Sequence, residues 1–372
     1  MQIRAARLDE IGLDLVEPFE TSFGVQTKRR FYLLRLESRD GLYGYGECVA
    51  TDDPLYSSES NVSVKDLLAR HFLPSILHTR ETTAESFLRD VDHFRGNAMA
   101  KAAVETALVD LEARTRGISV SRYLGGRRTR IEVGVSVGIQ PTIPRLVRRV
   151  ARYRAEGYRR IKIKVRPGWD AVPVRALRRE FPDLELWVDA NQAYPPAAVE
   201  RVREWAEGAH VAQVEQPFPE RAIWAHARLA RGASFRVCLD ESIVDEVSLE
   251  DAIQADAITS LNVKTGRVGG LRIGRALARR ATRSRIPAWV GGMLESGVGR
   301  AHNVALASCP EMTLPGDLSA SGRYYREDLI DPPFELGPGS SIKVPRGPGL
   351  GVEVLERVIR RYRRSTVTLR RN

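Results

Sequence analysis

The chain has 372 residues, of which 43% are hydrophobic and 28% charged, an ordinary globular composition with length enough for two or three domains. Its N-terminal segment lacks the apolar run of a signal peptide, and no apolar stretch of roughly 18 residues follows. Three scattered cysteines, Cys48, Cys238 and Cys309, form no CxxC pair and indicate a reducing compartment. We therefore expect a cytoplasmic protein without a membrane segment.

The formal net charge of +11 raises the question of nucleic-acid binding. The densest basic cluster is the C-terminal segment ERVIRRYRR, where Val358, Ile359 and Tyr362 have helical spacing. Its arginines then form the solvated side of an amphipathic helix. The sequence thus predicts no nucleic-acid partner, and a basic nucleic-acid-binding protein is kept only as an alternative of another class.

Residues 1–127 are predicted to form an α+β domain. Residues 31–49, FYLLRLESRDGLYGYGECV, have the pattern of two strands around a turn at Asp40-Gly41. Residues 62–125 carry apolar residues three and four apart, as in MAKAAVETALVDLEA, which is helical spacing. Strands followed by helices are typical of an α+β unit.

Residues 128–322 are predicted to form an α/β barrel. Short apolar runs alternate with amphipathic stretches such as IPRLVRRVARYRAEGY. The runs lie at 131–139, 160–165, 184–190, 211–217, 236–242, 258–264, 286–292 and 311–317. Eight strands with intervening helices are the count of a βα barrel. A doubly wound open sheet has a similar pattern, but no GxGxxG follows the first strand to support a dinucleotide-binding fold.

Residues 323–372 do not continue this alternation. The segment PPFELGPGSSIKVPRGPGLGV is rich in turn-forming residues and precedes the basic cluster. We expect this C-terminal segment to return to the N-terminal domain.

Charged residues stand where the predicted barrel strands end. They are Lys162, Lys164, Asp189, Glu215, Asp240 and Lys264. From Lys164 onwards they are 24 to 26 residues apart, about one βα unit, and barrel enzymes place their sites at these carboxyl ends. A lone Asp there is usually the N-cap of the next helix, and a lone Lys or Glu is usually solvated. Six charges in phase favour a shared site instead.

Three carboxylates on consecutive strands suit a hard divalent cation such as Mg²⁺ or Mn²⁺. Zinc is not supported, because the chain has no HExxH motif or cysteine cluster. Such a cation can stabilise the charge that develops when the carbon beside a carboxylate loses its proton. Lys164, beside Lys162, is the candidate base. Lys264 lies on the far side of the carboxylates, so it is either a second acid/base or a cationic stabiliser.

Ten segments in order carry a family resemblance. They are PFETSFG, PLYSSE, GVSVGI, GYRRIKIKVRPGWD, VDANQAY, VEQP, CLDES, NVKTGRVGG, GGMLESGVGRAHNVALAS and LPGDLSAS. On these segments, which run through nearly the whole chain, the sequence resembles the muconate-lactonising subgroup of the enolase superfamily. Within that subgroup it resembles the o-succinylbenzoate synthase / N-succinylamino acid racemase family.

The resemblance implies a (β/α)7β TIM-like barrel with an α+β capping domain. It implies that Asp189, Glu215 and Asp240 hold Mg²⁺, for which Mn²⁺ can substitute. It also implies that Lys164 removes the α-proton, that Lys162 tunes Lys164, and that Lys264 acts from the opposite side.

The resemblance also implies a set of substrate-binding residues. They are Phe19, Phe23, Tyr56, Ser136, Asn191, Met293 and Arg267. Phe19, Phe23 and Tyr56 lie in two loops of the cap, where packing of the cap itself is an equal alternative. Arg267 is close enough to Lys264 to influence it and to favour racemisation, although a surface anion is an equally good partner for it.

The implied reaction is dehydration of 2-succinyl-6-hydroxy-2,4-cyclohexadiene-1-carboxylate in menaquinone biosynthesis, accompanied by N-succinylamino acid racemase activity. A dedicated N-succinylamino acid (N-acylamino acid) racemase is the main alternative, and muconate cycloisomerase is a weaker one. Both main reactions begin with α-proton removal from a small carboxylate with a succinyl arm, so the sequence leaves them open. Asp317 stands alone where dipeptide epimerases have DxD, which disfavours that activity. We also expect a homo-oligomer.

Overall fold

The computed structural model describes residues 1–371. The strands are β1 (Ile3–Thr21), β2 (Gly24–Ser38), β3 (Tyr43–Cys48), β4 (Arg130–Glu132), β5 (Val135–Val137), β6 (Arg160–Lys164), β7 (Glu185–Asp189), β8 (Gln213–Glu215), β9 (Arg236–Leu239), β10 (Ser260–Val263), β11 (Ala288–Val290), β12 (Ile330–Asp331), β13 (Ser341–Lys343), β14 (Glu353–Val354) and β15 (Arg363–Arg370). The helices are α1 (Asn61–Leu67), α2 (Leu73–His78), α3 (Ala84–Asp90), α4 (Ala98–Thr115), α5 (Val120–Tyr123), α6 (Ile143–Glu156), α7 (Ala171–Glu180), α8 (Val199–Gly208), α9 (Ile223–Ala230), α10 (Glu246–Gln254), α11 (Thr265–Val268), α12 (Leu271–Arg283), α13 (Gly297–Ala307) and α14 (Glu356–Tyr362).

A four-stranded antiparallel sheet forms the cap, with strand order β15-β1-β2-β3. The last strand, β15, pairs with β1 along residues 363–370, so the C-terminal segment lies at the edge of the N-terminal sheet. The preceding helix α14 buries Val358 and Ile359, as the apolar spacing predicts. It ends at Tyr362, two residues earlier than predicted, because Arg363 already pairs with Ile11 of β1.

Helix α4 packs against the cap sheet over two glycines of β3. A Cβ atom on Gly46 would lie 2.0 Å from the carbonyl oxygen of Ala103, and one on Gly44 would lie 2.2 Å from that of Ala107. The two missing side chains therefore allow the helix backbone to approach the strand. Helix α4 is buried on nearly every side, and its buried residues include Glu105, Asp110 and Glu112 as well as apolar side chains.

Seven parallel strands, β5 to β11, form one curved sheet in chain order, and helices follow them on the outside. Residues 312–317 close this sheet: Gly134 N donates to Gly316 O at 2.8 Å, and Asp317 N donates to Val290 O at 2.9 Å. The predicted α/β barrel with its capping domain is confirmed. The eighth run is not a regular strand but a set of isolated bridges, because Pro315 has no N–H to donate.

Three smaller findings bear on the sequence predictions. The first predicted run, 131–139, divides into β4, which pairs with β13, and the barrel strand β5. Cys48, Cys238 and Cys309 are all buried and free of disulfides. None of the helices described here has the length and apolar character needed to span a bilayer.

Candidate active site

The register of the barrel strands brings the predicted charges together. Lys164 lies beside Asp189, and Asp189 lies beside Glu215, as direct partners on neighbouring strands. Glu215 is paired with Cys238, so Asp240 extends two residues beyond it. The charges thus lie level at three of these strand ends, as expected, but at the next strand Asp240 lies two residues further along.

Lysines and carboxylates from β6, β7 and β8 form one buried network. Lys162 Nζ is 2.6 Å from Glu215 Oε2 and 3.3 Å from Asp189 Oδ2. Lys164 Nζ donates to Asp189 Oδ2 at 2.6 Å and to Asn191 Oδ1 at 2.8 Å. Each of these five residues is at most 7% exposed, and burial is tolerated because every charge has a partner of opposite sign.

A second buried group surrounds Asp240. Lys264 Nζ lies 2.7 Å from Asp240 Oδ2, and the guanidinium of Arg267 pairs with the other carboxylate oxygen. The hydroxyl of Tyr56, from a cap loop, donates to the same oxygen as Arg267 at 2.9 Å. Lys264 follows the sixth barrel strand and Lys164 ends the second, so four of the eight strand positions separate them. The two lysines therefore approach the barrel axis from opposite sides.

Burial and neighbouring charge perturb these groups in opposite directions. Burial, followed by the charge of Asp189, raises the pKa of Glu215 to about 7. Burial opposes the charged form of Lys264, but Asp240 outweighs it and holds the pKa of Lys264 well above its usual value. Burial likewise disfavours ionised Asp240, yet Lys264 and Arg267 hold its pKa well below the usual range. Asp240 is thus a carboxylate and Lys264 an ammonium at neutral pH.

A cavity of about 660 Å³ lies between the cap and the barrel mouth. Ten of the thirteen predicted site residues line it. They are Phe19, Phe23, Tyr56, Ser136, Lys162, Lys164, Asp189, Asn191, Lys264 and Met293. The cavity is therefore bounded by aromatic cap residues on one side and by three lysines and Asp189 on the other.

Three predicted residues lie behind the cavity wall. Glu215 and Asp240 are fully buried beneath the lysines that they contact. Arg267 is only 4% exposed, and it donates to Ile243 O at 2.7 Å as well as pairing with Asp240. In this structure Arg267 therefore contacts Asp240 and backbone carbonyls rather than the cavity, unlike the substrate contact predicted for it.

Some cavity residues were not among the predicted site residues. They include Thr21, Gln26, Arg29, Thr51, Leu294, Asp317 and Tyr324. Arg29, on β2, is 3% exposed and donates to the carbonyls of Ala50 at 2.9 Å and Met293 at 3.3 Å. It thereby ties a cap loop to a barrel loop. In the sequence, Arg29 belongs to the basic run KRR that precedes the apolar segment FYLL, a pattern that resembles exposed surface charge.

The chemistry of the donor set fits a divalent cation. Within residues 1–371, no three His, Cys, Asp or Glu side chains already converge as a metal site, because the lysines contact the carboxylate oxygens. Among the residues that the structure describes, the buried Oε2 of Glu241, next to Asp240, has no hydrogen-bond partner. Burial, followed by the charges of Asp240 and Asp189, raises the pKa of Glu241 to about 8. Crowded buried oxygen ligands of this kind are those that Mg²⁺ and Mn²⁺ bind.

Comparison with known proteins agrees with this geometry. Residues 6–125 match the model described as mandelate racemase / muconate lactonizing enzyme, N-terminal domain, and residues 145–358 match that described as enolase C-terminal domain-like. The chain therefore belongs to the mandelate racemase / muconate lactonizing enzyme family of the enolase superfamily, and it is an enzyme.

Individual relatives narrow the class further. The chain is 44% identical to an N-succinylamino acid racemase of an Amycolatopsis species, over 95% of each chain. It is 40% identical to an o-succinylbenzoate synthase of Geobacillus stearothermophilus, over 95% of this chain and 94% of that one. A crystal structure from Listeria innocua, described as a member of the enolase superfamily, has a TM-score of 0.95 at 36% identity and covers all of both chains.

Proposed function

We propose that this chain is a Mg²⁺-dependent o-succinylbenzoate synthase that also racemises N-succinylamino acids. Relatives that carry these two names are similar to it at 40% and 44% identity over nearly the whole chain. We also propose a cytoplasmic location and a role in menaquinone biosynthesis. Asp189, Glu215 and Asp240 would hold the metal ion.

The observation that carries the proposal is the placement of two lysines on opposite sides of one cavity. Lys164 and Lys264 both line it, and each is paired with its own carboxylate, Asp189 or Asp240. A planar enediolate between them has one lysine near each face. This arrangement serves proton removal and return on either face.

The residues have distinct tasks in the dehydration. A divalent ion, when bound, supplies positive charge to the substrate carboxylate and so stabilises the enediolate. Lys164 takes the α-proton, and the electron pair remains on the enediolate. The resulting Lys164 ammonium then gives its proton to the departing hydroxyl on the same face, so that water leaves as the ring becomes aromatic. Lys264 remains charged throughout and stabilises the negative charge electrostatically.

Racemisation would use the same first step and a different second one. After Lys164 removes the α-proton of one N-succinylamino acid enantiomer, the Lys264 ammonium returns a proton from the other face. No group leaves, and the lysines exchange roles for the opposite enantiomer. A dedicated racemase is the second candidate, favoured by the relative with that name at 44% identity.

The deciding experiment follows the ultraviolet absorbance of the cyclohexadiene substrate. It uses Mg²⁺-loaded protein, with excess chelator as the control. In parallel, N-succinylphenylalanine in D₂O is followed by proton NMR for loss of the α-proton signal. Turnover of the cyclohexadiene that chelator abolishes supports the synthase.

Exchange of the amino-acid substrate without cyclohexadiene turnover would transfer the assignment to a dedicated racemase. Turnover of neither substrate by folded, metal-loaded protein would overturn both assignments.

A further inference from the structure

Asp317 joins three barrel strands at the point where the barrel closes. One of its oxygens, Oδ2, lies 2.7 Å from Lys162 Nζ and accepts a hydrogen bond from Ser136 Oγ at 2.9 Å. The other oxygen pairs with the guanidinium of Arg160. The Asp317 side chain lines the cavity and is only 9% exposed. Its position follows from Asp317 N donating to Val290 O across the closure.

A buried cation below the site holds Asp317 in place. Arg160 is 1% exposed, and its guanidinium carbon lies 4.5 Å from the ring centroid of Trp187 and 5.7 Å from that of Trp289. Gly134 leaves room for it, because a Cβ there would lie 2.2 Å from Arg160 Nε. An arginine stacked on aromatic rings in a dry interior requires a carboxylate partner, and Asp317 is that partner.

The ammonium of Lys162 consequently has three carboxylates close to it. Its Nζ lies 2.7 Å from Asp317 and 2.6 Å from Glu215, with Asp189 at 3.3 Å. Glu215 and Asp189 are the carboxylates that would bind a divalent ion, and such an ion repels an ammonium beside it. Asp317 lies outside that pair and continues to hold Lys162 when the other two carboxylates are engaged.

We infer that Asp317 is a positioning residue that holds the Lys162 ammonium aside, so that Asp189 and Glu215 are available to a divalent metal ion. This inference rests on the proposed metal site. It assigns the Asp that ends the barrel a role in metal affinity, exerted through Lys162. Loss of the Asp317 charge leaves Lys162 to compete with the metal for Glu215. The expected result is weaker metal binding, since partners one step removed from a metal tune its affinity by about 10- to 100-fold.

The test measures Mn²⁺ affinity by electron paramagnetic resonance, with circular dichroism to check the fold. Asp317→Asn should weaken Mn²⁺ binding by about tenfold or more. The matched control is Asp170→Asn, which also removes the charge of a buried Asp that is paired with an arginine, Arg201 at 3.0 Å, at a residue that does not line the cavity. It should leave the affinity unchanged.

A double-mutant cycle with Lys162→Met separates positioning from a general charge effect. If Asp317 acts through Lys162, Asp317→Asn has a several-fold smaller effect on Mn²⁺ affinity in the Lys162→Met protein. Equal losses in both backgrounds, or an unchanged affinity in the single variant, would overturn the inference.

Two further results are informative. Wild-type protein that binds no Mn²⁺ would defeat the metal site of the proposed function itself. If Asp317→Asn does not fold, Asp317→Glu keeps the charge and should retain affinity within a few-fold, and a loss as large as tenfold would contradict the inference.

Discussion

The carboxylate of Glu47, in the cap sheet, accepts hydrogen bonds from Ser296 at the start of barrel helix α13. The backbone N–H of Ser296 donates to Oε1 at 3.0 Å and its hydroxyl donates to Oε2 at 2.5 Å, while the N–H of Gly299 donates to Oε2 at 3.1 Å. A cap residue thus satisfies the free N–H groups of a barrel helix. Because the contact joins the two parts that enclose the cavity, its protonation state affects how firmly they are held together.

Stability should fall with rising pH because of Glu47. Burial is the main cause that raises the pKa of Glu47 from 4.5 to about 7. The hydrogen bonds from Ser296 and Gly299 offset only part of this rise, and the charge of Glu295 adds to it. The folded state therefore holds a proton that the unfolded chain releases between these values. The free energy of unfolding then decreases as the pH rises from about 4.5 to 7 and levels off above 7. The expected contribution is about 1–3 kcal/mol.

Denaturant unfolding of wild type and Glu47→Gln at pH 5 and pH 8 measures this effect. The wild type should lose about 1–3 kcal/mol more than the variant between the two values. The comparison cancels other buried acids whose pKa is also raised, such as Glu105. A difference between the two proteins that is the same at both pH values would show that Glu47 does not titrate in this range.

Gly46→Ala should disrupt the packing of α4 on the cap sheet. The new Cβ would lie 2.0 Å from Ala103 O and 2.9 Å from Ala107 N, and backbone of a buried helix cannot move aside cheaply. We expect a loss of about 3 kcal/mol or more in the free energy of unfolding. Gly208→Ala is the control, since no described atom apart from the adjoining backbone of its own helix lies within 4 Å of its Cβ position, and alanine is the better helix former. Equal stabilities of the two variants would contradict the packing argument.

The sequence predicts the charged residues of the site better than the contacts that hold the cap and the barrel together. The phase of Lys164, Asp189 and Glu215 along the chain was sufficient to predict their convergence, because parallel strands fix neighbours by register. Contacts between distant segments leave no such period. Arg29 and Glu47 sit on cap strands with no spacing relation to the barrel loops that they bind.

The predicted substrate contact of Arg267 shows the same limit, because proximity in sequence does not determine the direction of a side chain. Its proximity to Lys264 in sequence is real, but the direction of the side chain is set by the position of Asp240, directly after strand β9. Strand β15 was likewise not predicted, because it forms only against β1, more than 350 residues earlier in the chain. Pairings of that separation depend on the folded cap rather than on local pattern.

Lys164→Ala should abolish both dehydration and racemisation. The variant removes the base and leaves Asp189 without the partner at 2.6 Å, and general-base loss typically costs about 10²- to 10⁴-fold in rate. The measurement is turnover of the cyclohexadiene and of N-succinylphenylalanine, with circular dichroism to check the fold. Lys343→Ala is the control, an exposed lysine on β13, and it should retain wild-type rates. Appreciable turnover by Lys164→Ala would exclude it as the base.

Lys264→Arg should separate the two reactions. Arginine keeps the charge near Asp240 but does not give up a proton near neutral pH, so it can stabilise the enediolate without protonating it. We expect racemisation to fall by at least about 10²-fold and dehydration to fall much less. The ratio of the two kcat values is the measurement, because a general disturbance of the site lowers both alike. Loss of both activities to the same extent would mean that Lys264 does not distinguish them.

Asp240→Asn should weaken metal binding and metal-dependent activity together. The substitution removes one predicted ligand, and it also leaves the ammonium of Lys264 and the guanidinium of Arg267 without their shared carboxylate. Two buried cations then repel an incoming divalent ion, so we expect at least about tenfold weaker Mg²⁺ affinity. Calorimetric titration with Mg²⁺ is the direct measurement, and the concentration of Mg²⁺ that restores activity after chelation should rise in proportion. Asp14→Asn, at a side chain that is 76% exposed, serves as the control. Unchanged Mg²⁺ affinity in a folded Asp240→Asn protein would remove Asp240 from the ligand set, and the neighbouring Glu241 would then become the candidate to test in its place.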